Sequence, residues 1–164
     1  MDISTNDELE IVARLVLAAA VGGFVGLQRE LRGYPAGIRT LALVAIGATL
    51  FTEISQLLDG NDRVAAQIVT GIGFIGAGLI FREGYSVRGI TTAATIWAVA
   101  AMGMAIGLEL YIVAISGSVL LFVVLEARLL TRRFERAIAP SEEGMRRTLA
   151  PDDEDGDEPI VDED

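Results

Sequence analysis

The 164-residue chain contains no cysteine and no histidine, and all 13 of its basic residues are arginine. Without cysteine there are no disulfides and no thiolate chemistry. Without histidine the commonest zinc ligand and the commonest general base are missing. No nucleophile–base pair, P-loop or metal-ligand cluster stands out either. The sequence therefore gives no ground for expecting an enzyme, a cofactor or a bound metal.

Apolar residues are abundant: 52% of the chain is hydrophobic, with 18 glycines and a mean hydropathy of +0.49. That balance is high for a water-soluble domain. Glycine in so apolar a chain suits membrane helices, where small residues let backbones approach closely. The net charge of −10 is unevenly placed. Residues 140–164 carry most of it, with only Arg146 and Arg147 opposing their acids.

A bilayer core of about 30 Å is crossed by ~20 apolar helical residues. Five windows fit, at about 9–27, 37–58, 64–81, 90–107 and 110–130, and they predict a five-span, all-α helix bundle as one transmembrane domain over 9–130. Residues 1–8 form a polar extracytoplasmic segment without the basic start of a signal peptide. Residues 131–139, TRRFERAIA, read as a basic amphipathic helix on the membrane surface. Residues 140–164 read as a disordered acidic tail.

Charges inside the spans are few. Arg14 in span one can snorkel outward on its long stem. Glu53 lies inside span two, about a turn and a half from its end. It either reaches interfacial water or offers a carboxylate to an ion or proton path, and Gln67 in span three is the other intramembrane polar group. Small residues recur at Gly22 and Gly26, at Gly71, Gly73, Gly76 and Gly78, and at Gly103 and Gly107, marking helix-packing faces. Span three carries a bulky stripe of Val64, Ile68, Ile72, Ile75 and Leu79. With small residues elsewhere, it is expected to turn the stripe to lipid, its small faces to neighbours, and to be the central helix.

The links after spans one and three, and the segment after span five, hold Arg29, Arg32, Arg39, Arg82, Arg88, Arg128, Arg132, Arg133 and Arg136. The links after spans two and four hold only Arg63. The positive-inside rule then sets the N-terminus outside and the C-terminus in the cytoplasm.

VGGFVGLQRELRGYPAGIRT and IGFIGAGLIFREGYSVRGITT share Gly-Phe-hydrophobic-Gly, Gly-Leu, Arg-Glu and Gly-Tyr in order. Arg29-Glu30 matches Arg82-Glu83, which makes spans one–two and three–four candidates for a parallel hairpin repeat.

Three motifs carry a resemblance to a known family. GLQRELRGYPAGIRT at 26–40, GIGFIGAGLIFRE at 71–83 and SVRGITTAATIWAVAA at 86–101 occur in this order, and on them the chain resembles the MgtC/SapB family of membrane proteins. The resemblance implies a role in magnesium homeostasis or stress adaptation. It also implies interaction with other membrane proteins, such as ATP synthase or a transport ATPase. It does not imply magnesium transport. A soluble domain that follows the last span in the family's virulence form has no counterpart among these residues.

The candidate site is a polar cluster at the cytoplasmic mouth: Arg29, Glu30, Arg39, Arg82, Glu83, Arg88, Thr91 and Thr92. Arginine forks beside hydroxyls and a helix N-terminus suit an anion, such as phosphate or a lipid headgroup. The same residues could instead be Arg–Glu pairs that lock the bundle. Two functions follow. One is a regulator that docks a partner through small-residue faces. The other is a small transporter or channel made from the hairpins, with a homo-oligomer as an option. A sealed bundle favours the first; a continuous polar path past Gln67 and Glu53 favours the second.

Overall fold

A computed structural model describes residues 4–58 and 62–127. The expected surface helix 131–139, the acidic tail 140–164, Arg128, and the turn at Gly60 lie outside the described residues. Five helices and one short hairpin make up the described part: α1 Thr5–Leu31, α2 Ile38–Leu57, α3 Asp62–Ala77, β1 Phe81–Glu83, β2 Ser86–Arg88, α4 Ile90–Gly107 and α5 Tyr111–Glu126. The fold is all-α. Helices α1, α2 and α4 are long and apolar enough to cross a membrane, and α3 and α5 are shorter apolar helices.

Local chemistry sets the helix ends. α1 starts at a capping box: the Asp7 N–H donates to Ser4 Oγ at 3.3 Å and the Ser4 N–H to Asp7 Oδ2 at 2.9 Å, so two exposed donors are satisfied reciprocally. It stops at Gly33, whose φ of +72° a side chain would resist. α2 starts at Gly37, which has no capping side chain. Glu30 supplies the cap from α1, its Oε2 accepting the Ile38 N–H at 2.9 Å. α3 ends four residues short of the expected boundary because Phe81 pairs with Arg88 across the small antiparallel hairpin. Gly89, at φ +91°, lies against the Leu79 carbonyl, where a Cβ has no room.

Glycines decide which helices touch. A Cβ on Gly22 would run into the Leu41 carbonyl, and one on Gly26 into the backbone of Gly37 and Ile38. Gly103 and Gly107 make the same close approach from α4, to Ala45, Thr49 and Thr52. α2 is thus clasped between α1 and α4, and Thr49 Oγ1 donates to the Gly103 carbonyl at 2.7 Å. The core between them holds Ala18, Val21, Val25, Leu41, Ala45, Ile96, Val99 and Ile106, with Ala114 from α5.

Two expectations about α3 are reversed. α4, not α3, is the central helix: it packs on all four others, whereas α3 rests on α4 and α2. Most of the bulky stripe of α3 also faces inward, although Ile75 is exposed. Ile68 is buried, and Ile72 and Leu79 pack on the core. Gly71, Gly73 and Gly78 are exposed, and a Cβ on Gly71 or Gly73 would meet nothing within 4 Å. Of the four glycines only Gly76 packs on a neighbour, Ala93. In lipid both faces of an apolar helix are acceptable to their surroundings, and dispersion contacts of the larger side chains decide which one packs.

Candidate functional site

The buried charge of α1 falls in two clusters at opposite ends of the helix. Arg29, two residues from its C-terminus, is fully buried. Its Nε donates to the Ala36 carbonyl at 3.2 Å, Nη1 to Thr95 Oγ1 at 3.2 Å and Nη2 to Thr92 Oγ1 at 2.6 Å. The Tyr34 ring lies 4.5 Å from the guanidinium carbon, a cation–π contact. Thr95 Oγ1 in turn donates to the Thr91 carbonyl at 2.7 Å. No carboxylate lies within ion-pair distance of Arg29 among the described residues. A planar fork held by two hydroxyls, a carbonyl and a ring ties α1, its following link and α4 together.

Apart from Thr92, the described side chains of the predicted mouth do not converge on Arg29. Glu30 caps α2. Arg39 and Thr91 are exposed, as are Arg82 and Arg88 on the hairpin. Arg82 Nε donates to the Gly84 carbonyl at 3.2 Å, within its own turn. Glu83 belongs to β1, and its side chain lies outside the description. Among the described residues Thr92 meets Arg29, Thr95 joins them, and Glu30 and Arg39 line a separate small pocket. The matched dipeptides of the two hairpins therefore sit in unlike settings, Arg29-Glu30 in a helix and Arg82-Glu83 in a strand.

At the same end a second tie fastens α1 to α5. Gln28 Nε2 donates to Glu126 Oε2 at 2.8 Å, and Arg32 pairs with Glu126 Oε1. Phe24 and Phe122 stack at 4.9 Å between ring centroids.

The opposite end holds a cluster that the sequence reading missed. Arg14 does not snorkel. Its Nη1 meets Glu53 Oε1 at 2.8 Å, and its Nη2 meets Glu109 Oε1 at 2.8 Å and Glu10 Oε2 at 3.3 Å. The Glu53 side chain is 6% exposed, whereas Glu10 and Glu109 are 70% and 63% exposed. One guanidinium thus gathers a carboxylate from α1, one from α2 and one from the α4–α5 link. Beside it lies a depression of about 470 Å³ lined by Glu10, Ala13, Arg14, Leu17, Glu109 and Tyr111. Opposite charges at similar depth from the span ends were the available signal for this pairing. Which faces met could not be read from one strand of sequence.

Between the clusters the interior is apolar. The core of Ala18, Val21, Val25, Leu41, Ala45 and Val99 is closed. The buried hydroxyls near it are satisfied by backbone carbonyls, Thr49 at Gly103 and Thr52 at Ala48. Gln67 is not part of this interior. It is exposed on α3 and lines an apolar groove against α2, away from Glu53, which is turned to Arg14.

The model of the MgtC family matches residues 15–134, most of the chain. The chain belongs to the MgtC family. The "Putative magnesium transporter YhiD" of Escherichia coli K12 is 46% identical over 128 residues, covering 71% of this chain and 60% of that protein. "Protein MgtC" of Brucella abortus is 52% identical over 98 residues, covering 58% of this chain and 41% of that one. "Protein MgtC" of Salmonella typhimurium is 40% identical over 143 residues, covering 84% of this chain and 61% of its own length. The chain therefore spans between about two-fifths and three-fifths of the length of these relatives. No solved structure matches the chain. Family membership and the apolar helices together make this a membrane protein.

Proposed function

We propose that this chain is a regulatory membrane protein in magnesium homeostasis that works by binding another membrane protein, not by conducting an ion. The observation that carries this reading is the closed apolar layer between the two charge clusters of α1. Arg14 is engaged by three carboxylates, Arg29 by neutral groups, and the buried hydroxyls between them by carbonyls. A pathway for a hydrated divalent cation needs oxygen ligands at successive depths that face a common passage, whereas the buried Thr49 and Thr52 hydroxyls are turned to backbone carbonyls. The names of the relatives support the link to magnesium, since one is called a "Putative magnesium transporter". The outward face of α3, with Ala66, Thr70, Gly73 and Ala77 exposed, is a small-residue surface of the kind that partner helices dock against. The arginine distribution supports a cytoplasmic setting for the Arg29 end and a cell-membrane protein with its N-terminus outside.

The test is reconstitution of the full chain into liposomes loaded with a magnesium-sensitive dye. The expected result is uptake no faster than in protein-free vesicles. Saturable magnesium entry that disappears in Glu53→Gln would replace the regulatory reading with the transporter.

A further inference from the structure

The hairpin between α3 and α4 combines a backbone that acyl chains reject with side chains that water rejects. In the described sheet its two strands pair only with each other: Phe81 with Arg88, Arg82 with Val87 and Glu83 with Ser86. The outer edge of each strand therefore has no partner within the sheet, and lipid-exposed open edges do not occur in hydrocarbon. Yet Phe81, Tyr85 and Val87 are exposed, Tyr85 completely. Exposed rings on a backbone that must stay hydrated fit the headgroup layer, where amphipathic aromatics gather and water still reaches the chain.

Span length brings the hairpin to that depth. α3 has 16 residues, about 24 Å of helix against ~30 Å of hydrocarbon. Gly78, Leu79, Ile80 and Phe81 are apolar and continue the crossing, so Arg82 is the first charged residue to reach the boundary. The return begins at Ile90, also exposed and apolar, where α4 starts. Gly89 lies against the Leu79 carbonyl, where a Cβ has no room, and this contact closes the base of the hairpin.

Charge then distinguishes one lipid surface from another. Arg82 and Arg88 are exposed and stand in the two rungs nearest the helices, whereas Glu83 belongs to the outermost rung. Arg82 Nε donates to the Gly84 carbonyl at 3.2 Å, which steadies the guanidinium and leaves Nη1 and Nη2 outside that bond. A guanidinium fork matches phosphate oxygens.

From these observations we propose that the Phe81–Arg88 hairpin is a headgroup-layer anchor that recognises anionic phospholipid. Phe81 and Val87 meet the acyl boundary, Arg82 and Arg88 the lipid phosphates, and Tyr85 lies among the headgroups. The anchor is independent of whether the bundle regulates or conducts.

Two measurements on the full chain test it. In native mass spectrometry with equal amounts of phosphatidylglycerol and phosphatidylcholine, wild type should retain the anionic lipid preferentially. Arg82→Gln and Arg88→Gln should each lower that ratio about fivefold, the equivalent of the ~1 kcal/mol that one arginine contributes near an anionic surface. Inorganic phosphate, set against chloride at the same ionic strength, should leave the ratio unchanged. In the second measurement Tyr85→Trp is made with Trp97→Phe, which removes the chain's one tryptophan. Its fluorescence should be quenched by headgroup spin-labelled lipid, more strongly in phosphatidylglycerol bilayers than in phosphatidylcholine. That difference should vanish when both arginines are replaced, with the far-UV spectrum unchanged. A lipid ratio untouched in the double arginine variant would overturn the proposal. So would loss of the preference to inorganic phosphate, which would make the arginines a site for a free anion. A tip tryptophan quenched by aqueous iodide equally in both bilayers would also overturn it, giving the hairpin to water or to a protein partner.

Discussion

Arg14 and Arg29 lie on the same helix, fifteen residues apart in sequence, yet they are neutralised in opposite ways. Arg14 faces three carboxylates from three segments. Arg29, more deeply buried, faces none among the described residues and is held by hydroxyls, a carbonyl and an aromatic face. The difference lies in what each leaves behind when removed. Taking away Arg14 strands the carboxylate of Glu53 in a nearly closed site, and an unpaired buried charge is costly. Taking away Arg29 strands only neutral groups, whose loss of a partner costs less. An ion pair therefore makes the bundle depend on both of its members, whereas a charge solvated by neutral dipoles makes it depend mainly on itself.

Substitutions of these residues sharpen that contrast, and each is read by chemical unfolding in micelles followed by circular dichroism. The largest loss is expected for Arg14→Met, about 3 kcal/mol, from the stranded Glu53. Arg29→Met should cost less, about 2 kcal/mol, being three hydrogen bonds at roughly 0.6 kcal/mol each in a membrane bundle. Arg29→Lys should not restore that loss, because one ammonium cannot reproduce the planar fork that reaches Thr92, Thr95 and Ala36 together. If Arg29→Met costs more than Arg14→Met, the contrast is wrong. Thr92→Val, which keeps the shape and removes one acceptor, should cost about 1 kcal/mol. Glu10→Gln, at the exposed rim of the Arg14 cluster, should stay within ~0.5 kcal/mol.

The sequence made the helices legible and hid their faces. The window 90–107 coincides with α4 and those at 9–27 and 37–58 lie within a few residues of the ends of α1 and α2, because span length in lipid is a one-dimensional property. The glycine pairs at Gly22/Gly26 and Gly103/Gly107 were legible for a similar reason. A small residue every fourth position on a membrane helix is a close approach waiting for a partner, and α2 supplies it from both sides. α3 was misread because hydrophobicity does not tell lipid from protein interior, so its stripe of Ile68 and Ile72 could have faced either way. The ion pair from Arg14 to Glu53 joins residues 39 apart, and nothing local to either announces the other. Arg29 was singled out from the sequence among eight mouth residues, but its burial was hidden. A guanidinium with no acid partner leaves no complementary charge in the sequence to search for.

If the clusters are closed pairs that hold helices together, and not stations along an ion path, Arg14 and Glu53 must be energetically coupled. A double-mutant cycle with Arg14→Met, Glu53→Gln and the double variant measures this directly. The predicted outcome is a double variant about 2 kcal/mol more stable than Arg14→Met alone, because the amide removes the stranded charge. Additive losses would contradict the account, since they would mean that the Glu53 carboxylate is solvated by water and free to serve a passing ion.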